Sequence, residues 1–273
     1  MFEANRFPER DAARIDGLMA QLATIKADRF VLISTIAVLA SFDAGDDEST
    51  TAFQTSLAYG RNRSRLEDFC TDRFTNCLVV RLPALFGPGL KKNFIFDILN
   101  PMPSMLDSGN LAALESKLPV TLAHGIRAIY HHDPAIDMFV IDRDALDETG
   151  LRADYEAAVT EAGRSAIGFT NPESQFQYYD MARLWSDIGL ALAEGLSVLH
   201  LAPAPVSAAA VHERLTGRPM AANGARVHRE DMHTAHAALF GRSGPYIADA
   251  ADVLDRLADF AASQSKMRAG VSP

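Results

Sequence analysis

The stretch from Phe30 to Gly89 most constrains what this chain can fold into. Two short, uninterrupted apolar runs there flank one long helical pattern. Phe30-Val31-Leu32-Ile33 and Leu78-Val79-Val80-Arg81-Leu82 do not alternate as a strand with one wet face does. Continuous runs rich in β-branched residues belong to strands covered on both faces, as in a parallel sheet. Between them, Leu57 to Phe74 carries Leu66, Phe69, Cys70 and Phe74 as an apolar stripe at helical spacing. Strand, long helix and strand predict a right-handed βαβ unit, and hence an α/β fold.

The remaining segments extend that pattern. Pro8 to Ala27 reads as an amphipathic helix through Ile15, Leu18, Met19, Leu22 and Ile25. Phe42 to Thr55, with Asp43, Asp46, Asp47 and Glu48, reads as a solvated acidic loop. Phe94 to Leu99 reads as a packed helix or strand. Between Met102 and Gly168 the periodicity predicts three helices: one around Leu111, Leu114 and Leu118, one over Val120–Tyr130, and one over Leu151–Ala162. Asp142 is placed to cap a helix. A short strand over Gln175–Tyr179, a helix over Met181–Ala193 and a buried strand over Ser197–Leu201 follow. Ser207 is a candidate N-cap for a helix running to Leu215. A closing helix is expected over Asp249–Ala262, then a frayed tail over Ser263–Pro273.

A chain of 273 residues can bury one large core or two closely joined ones. Its net charge of −9 offers no basic footprint for nucleic acid. No apolar run reaches the roughly 18 residues that cross a bilayer. Met1 to Arg6 lacks the basic start and apolar segment of a signal peptide. Cys70 and Cys77 have neither CxxC nor zinc-ligand spacing, so they read as small core residues of a reduced, cytoplasmic protein.

The residues able to do chemistry gather in the same opening stretch. Ser34 and Thr35 lie where the first strand ends, and open α/β sheets bind ligands beyond the carboxyl ends of their strands. Tyr59 and Arg63 are four apart and share a helix face. Gly87-Pro88-Gly89 forms a loop after the second strand. His228, Asp231, His233 and His236 cluster in sequence, but no further ligand stands at motif spacing, so no metal site is expected.

In this order the segments resemble the extended short-chain dehydrogenase/reductases, in the NAD-dependent nucleotide-sugar epimerase and dehydratase branch. Phe30 to Thr35 looks like the strand ending in the catalytic hydroxyl, and Tyr59-Gly60-Arg61-Asn62-Arg63 looks like the YxxxK helix. Arg81-Leu82-Pro83 with Phe86-Gly87-Pro88-Gly89 looks like the next strand and its nicotinamide-side loop. Gln175 to Asp180, and Val198 to Leu201 with Pro205-Val206-Ser207, resemble the later elements of the substrate lobe. The likeness covers roughly Pro8–Asn100 and Thr170–Leu215.

The resemblance implies a partial Rossmann-like, doubly wound parallel sheet with a mostly helical insertion and a substrate lobe. It divides the chain into an incomplete core (1–101), an insertion or cap (102–168) and a substrate lobe with closing helices (169–273). The activity it implies is an NAD(P)-dependent oxidoreductase or epimerase acting on a nucleotide-sugar or similar polyol, with NAD or NADP as cofactor. Tyr59 would be the acid/base, and Arg63 the cation that favours its phenolate. Ser34 or Thr35 would bond the substrate oxygen. Tyr59, Arg63 and Pro83 would border the cofactor, and Asn93 and Gln175 would meet the substrate.

Two departures qualify this. Arg63 stands where the family carries lysine; it keeps the charge, but it does not deprotonate and its planar fork reaches ribose hydroxyls differently. The family's G-x-x-G-x-x-G turn, which holds pyrophosphate at a helix N-terminus, has no counterpart before Pro8. The strand at Phe30–Ile33 is then expected to present an open edge, prone to pairing. Three arrangements stay open: a start further upstream, a partner chain or second copy on that edge, or a relative that no longer binds the cofactor. The last makes the chain a non-catalytic binding or assembly protein.

Overall fold

The computed structural model of the chain describes residues 1–268. They form two compact units: residues 1–90, 173–218 and 228 onward make one, and 91–172 with 219–227 make the other. The chain opens with α1 (Phe2–Arg6), α2 (Pro8–Leu22), β1 (Phe30–Thr35), α3 (Ala58–Arg73), β2 (Cys77–Leu82) and β3 (Ala84–Phe86). The second unit then holds α4 (Phe94–Leu99), β4 (Met105–Leu106), α5 (Ser108–Glu115), α6 (Val120–Ile126), β5 (Tyr130–Asp133), β6 (Met138–Ile141), α7 (Arg143–Glu148) and α8 (Arg152–Glu161). The first unit resumes with β7 (Gln175–Phe176), β8 (Tyr178–Asp180), α9 (Leu184–Ala193), β9 (Val198–His200), β10 (Val206–Ser207), α10 (Ala208–Thr216) and α11 (Ala250–Arg268).

The first unit is organised on a parallel sheet of order β1-β2-β9. Side chains on a strand alternate between faces, and here the two faces meet different helices. Phe30 and Leu32 of β1, with Cys77 and Val79 of β2, pack under α2 and α3 against Ile15, Leu22, Leu66 and Cys70. Val31, Leu78, Val80 and Leu82 face the other way, onto Ile188 and Ala191 of α9. Helices on both faces make the sheet doubly wound, as the sequence pattern predicts. Both thiols sit in the α2–α3 layer, where burial pushes that of Cys70 up to about 11.

One expectation fails in part. β2 is buried along its whole length, whereas every residue of β1 is only part-buried or exposed, and Ile33 remains 47% exposed. The reason is position. β1 pairs with β2 on one side only, so its apolar sequence reports two covering layers but not a missing neighbour. The closing helix also runs further than expected, through Arg268; the end of the expected tail, 269–273, lies outside the described residues.

The second unit is less helical than its periodicity suggests. Val120–Tyr130 splits into α6 and the start of β5, which pairs antiparallel with β6, and β4 completes a sheet of order β4-β6-β5. Leu111, Leu114, Ile126, Leu146, Tyr155 and Val159 form its core with Tyr130. Asp142 caps α7 as expected, accepting from the Asp144 and Ala145 amides at 3.0 and 2.9 Å. Burial pushes the Asp97 carboxyl of α4 up to about 7, against the opposing charge of Arg143.

Two predictions follow from this packing. A Cβ added at Gly60 of α3 would lie 1.9 Å from the Ala37 carbonyl oxygen, a backbone atom that cannot swing away. Gly60→Ala is therefore expected to lower unfolding free energy by about 1–3 kcal/mol in urea titrations, and an unchanged midpoint would contradict this packing. Because the folded state raises the Asp97 pKa, it holds a proton that the unfolded chain releases between pH 3.8 and about 7. The stability this group contributes is thus present at low pH and lost as pH rises through that window. Asp97→Asn should match the parent at pH 4 and exceed it by on the order of 4 kcal/mol at pH 8; equal differences at both pH values would refute the assignment.

Candidate active site at the strand ends

The parallel register sets one polar residue from each strand in a row. Ser34 pairs with Arg81, and Arg81 pairs with His200, so all three project from the α3 face near the carboxyl ends of β1, β2 and β9. Glu67 reaches this row from α3. Arg81 donates from Nη2 to Glu67 Oε2 at 2.7 Å and from Nε to both carboxylate oxygens at 3.2 Å, and Ser34 donates its hydroxyl proton to Glu67 Oε1. Arg81 and Glu67 are 4% and 5% exposed, so each is the other's compensation for leaving water. The Phe53 ring lies 5.0 Å from the guanidinium carbon.

His200 continues the chain of bonds. Its Nδ1 lies 2.8 Å from the His233 carbonyl, which can only accept, so Nδ1 carries the proton and Nε2 accepts from Arg81 Nη1 at 3.1 Å. Burial holds the imidazole below its ordinary pKa, and the Arg81 charge adds to this against the opposing pull of Glu48 and Glu67. Glu48 accepts from the His200 amide, the Thr234 hydroxyl and the Ala235 amide at 2.7, 2.7 and 2.8 Å. The loop expected to be solvated therefore sends one carboxylate inward, where three donors replace its water.

Tyr59 and Arg63 belong to a second cluster on the same helix. The Arg63 guanidinium lies over the Tyr59 ring, 4.3 Å from its centroid, and donates to Asp11 of α2. Asn62 donates to the same Asp11 oxygen at 2.8 Å. Burial alone would raise the Asp11 carboxyl, but the bonds from Arg63 and Asn62 and the charge of Arg63 outweigh it and hold the group below its usual range. The Tyr59 amide donates to Asn5 Oδ1 at 2.9 Å. No protein group among the described residues hydrogen-bonds the Tyr59 hydroxyl.

The structure thus pairs Tyr59 with Arg63 and pairs Ser34 with Glu67, which stands about 12 Å further along α3 at 1.5 Å per residue. Thr35 alternates to the opposite face from Ser34, and its hydroxyl accepts from the Ala37 amide at 3.2 Å. Pro83 is buried between β2 and β3. Asn93, at φ 100°, caps α4 in the second unit, accepting from Ile95 and Phe96 amides at 3.0 and 3.2 Å. Gln175 lies on β7, where its backbone bonds to His228 and Glu230 at 2.8 and 3.0 Å. His228 pairs with Glu230 and His233 with Asp231; among the described residues no group of three or more metal-ligating side chains converges.

Sequence reasoning passed over Asp11, Glu48, Glu67 and His200. A signal existed for one of them. Arg81 is a lone cation inside a continuous apolar run, and such a charge demands a partner. Glu67 sits on the intervening helix, where a partner could come from.

The site fits only one end of a nicotinamide dinucleotide. An unbonded phenol beside a cation suits a ribose and nicotinamide. For the pyrophosphate, none of the described strands runs into a G-x-x-G-x-x-G turn, and Gly87-Pro88-Gly89 leads only to the six-residue α4.

No protein-family model matches the chain, and comparison with the curated proteins finds no match. The fold does match solved structures. UDP-glucose 4-epimerase from Thermotoga maritima, solved with UDP-glucose, aligns with a TM-score of 0.56 and 13% identity over 97% of this chain and 73% of that one. RMD from Pseudomonas aeruginosa, complexed with NADPH, gives 0.54 and 14% over 96% and 76%. UDP-glucuronic acid 4-epimerase from Bacillus cereus, with UDP-glucuronic acid and NAD, gives 0.50 and 13% over 92% and 66%. Epimerases and a reductase are among these neighbours, and the chain has their Rossmann-type α/β fold. No helix among the described residues is long and apolar enough to cross a membrane.

Removing Glu67 would leave Arg81 buried and unpaired. Glu67→Ala is expected to cost about 3–5 kcal/mol of stability in chemical denaturation. A loss no larger than that of an exposed substitution would show that the pair is not what holds this layer together.

Proposed function

We propose that this chain provides the substrate-contacting and proton-transfer half of an NAD(P)-dependent oxidoreductase or epimerase acting on a nucleotide-sugar or related polyol. The observation that carries this reading is the Tyr59 hydroxyl. It lacks a protein partner, stands one helical turn from a guanidinium, and belongs to the helix that packs over the strand ends. Tyr59 exchanges a proton with a substrate hydroxyl or carbonyl. Arg63 sets its positive charge over the Tyr59 ring, and Asp11 shares the same guanidinium. The Ser34 hydroxyl donates its hydrogen bond to Glu67, so its lone pairs accept a bond from a substrate O–H. Pro83 borders the cofactor, and Gln175 contributes a substrate contact. The fold of the solved nucleotide-sugar enzymes supports this substrate class.

A second reading is favoured by one specific feature, the open edge of β1. Phe30 donates its amide to Asn76 on the β2 side, so strand alternation turns the backbone groups of Val31, Ile33 and Thr35 outward. The edge carries neither a charge nor a proline to blunt it. In this reading the chain is a non-catalytic binding or assembly protein that self-associates through the edge.

The two readings separate on one pair of variants. If the first holds, Tyr59→Phe lowers nucleotide-sugar turnover with NADH or NADPH by about 10²-fold or more and leaves the urea midpoint unchanged. Turnover equal to that of the parent removes Tyr59 from the mechanism. If the second holds, the parent shows no turnover and is an oligomer by light scattering, which Ile33→Lys converts to monomer.

A further inference from the structure

The second unit carries a feature that the strand-end chemistry does not use. Beyond the C-terminus of α8 and beside α5, a hollow of about 120 Å³ opens to solvent. Leu106, Leu114 and Phe169 give it apolar walls, and Arg164, Ser165 and Asn110 supply its polar groups. Phe169 is 60% exposed, an unusual position for a phenyl ring with nothing against it.

Two side chains here make no bond to another protein group among the described residues. Arg164 makes no ion pair or side-chain hydrogen bond among the described residues. Ser165 is only 7% exposed, yet its hydroxyl makes no capping bond to the turn it precedes and finds no other protein partner. The neighbouring carboxylate, Asp107, is already engaged: it accepts from the Asn110 amide at 2.7 Å and from Asn110 Nδ2 at 2.8 Å while capping α5.

We propose that this hollow binds a small monocarboxylate, or a carboxylate-bearing group of a larger molecule. The guanidinium and the Ser165 hydroxyl would receive the two oxygens, and the carbon end would lie against Leu106, Leu114 and the Phe169 ring. Polarity selects this class, and the hollow has room for a small organic acid. One cation and one hydroxyl balance a single negative charge, whereas a phosphate near neutrality carries more charge and would set it against three apolar side chains. A bond from a guanidinium to an ionised oxygen is among the stronger ones available at a surface. The site is independent of Tyr59 and stands whether or not the strand ends are catalytic.

The test is isothermal titration and amide NMR on the full chain with three probes: propionate, its uncharged isostere propionamide, and inorganic phosphate. Propionate is expected to shift amides of residues 163–169 saturably, with propionamide and phosphate each about tenfold weaker or worse. Arg164→Ala should weaken propionate about tenfold or more, Arg164→Lys should lose less, and Ser165→Ala should weaken it without changing the amide spectrum elsewhere. Arg164 is exposed, so its variants keep the fold. Propionate and propionamide binding alike, phosphate binding more tightly than propionate, Arg164→Ala leaving propionate unaffected, or no saturable shift at all would each overturn the proposal.

Discussion

The contact between Glu67 and Arg81 fixes the geometry of everything at the strand ends. Arg81 projects from the middle strand of a sheet whose surroundings are otherwise aliphatic, so its charge has to be met inside the protein. The carboxylate that meets it comes from α3, and this sets both the rotation of that helix and its height over the sheet. Ser34 and His200 then attach to the pair from either side, joining β1 and β9 to the same centre. Gly60 completes the constraint, because its missing side chain lets α3 close onto the Ala37 carbonyl. With the helix locked at these two points, the direction in which Tyr59 projects is no longer free.

The parts of this arrangement that were legible in the sequence are local. Apolar runs without alternation announced β1 and β2, and helical spacing announced α3 between them. Spacing also put Tyr59 and Arg63 on one face. What stayed hidden depends on pairing across the chain. Whether Ser34 or Thr35 shares the α3 face follows from which β1 residue lies opposite Arg81, and no pattern within either run reveals that register. Glu48 meets a backbone amide 152 positions away, so its acidic neighbours made it look like one more solvated charge. In the second unit, Ile126, Ile129 and Tyr130 keep apolar spacing across the end of α6, and the change to strand at Tyr130 is decided by pairing with Ile141.

The same contrast governs how Arg63 should be understood. Read along the helix, it is a bare cation one turn from a phenol. In the fold it is shared. Asp11 of α2, buried and further held by Asn62, draws the guanidinium across the ring face and supplies an opposing charge. A lysine at this position would present a compact point charge able to turn toward a hydroxyl, whereas the planar guanidinium serves the ring face and a carboxylate at once. The guanidinium therefore comes with its own neighbourhood, in which Asn62 and Asp11 belong to the unit as much as Arg63 does.

The open edge of β1 brings assembly and chemistry to the same place. Parallel sheets are ordinarily covered on both faces and continued by further strands, because their apolar residues have no wet side to offer. Here the covering is present, and among the described residues no strand continues the sheet on the far side of β1 from β2. The strand that carries this edge also carries Ser34. Any chain that extends the sheet at β1 must bond to the backbone of Val31, Ile33 and Thr35, and so sets its own side chains beside Ser34. Such a neighbour would exclude water from one side of the Ser34–Glu67 bond and strengthen it, since electrostatic contacts gain as the local dielectric falls. Among the described residues the polar row at the strand ends is bonded inward, toward Arg81 and His200, and on its outer side Ser34 borders the strand edge at which any added strand would lie.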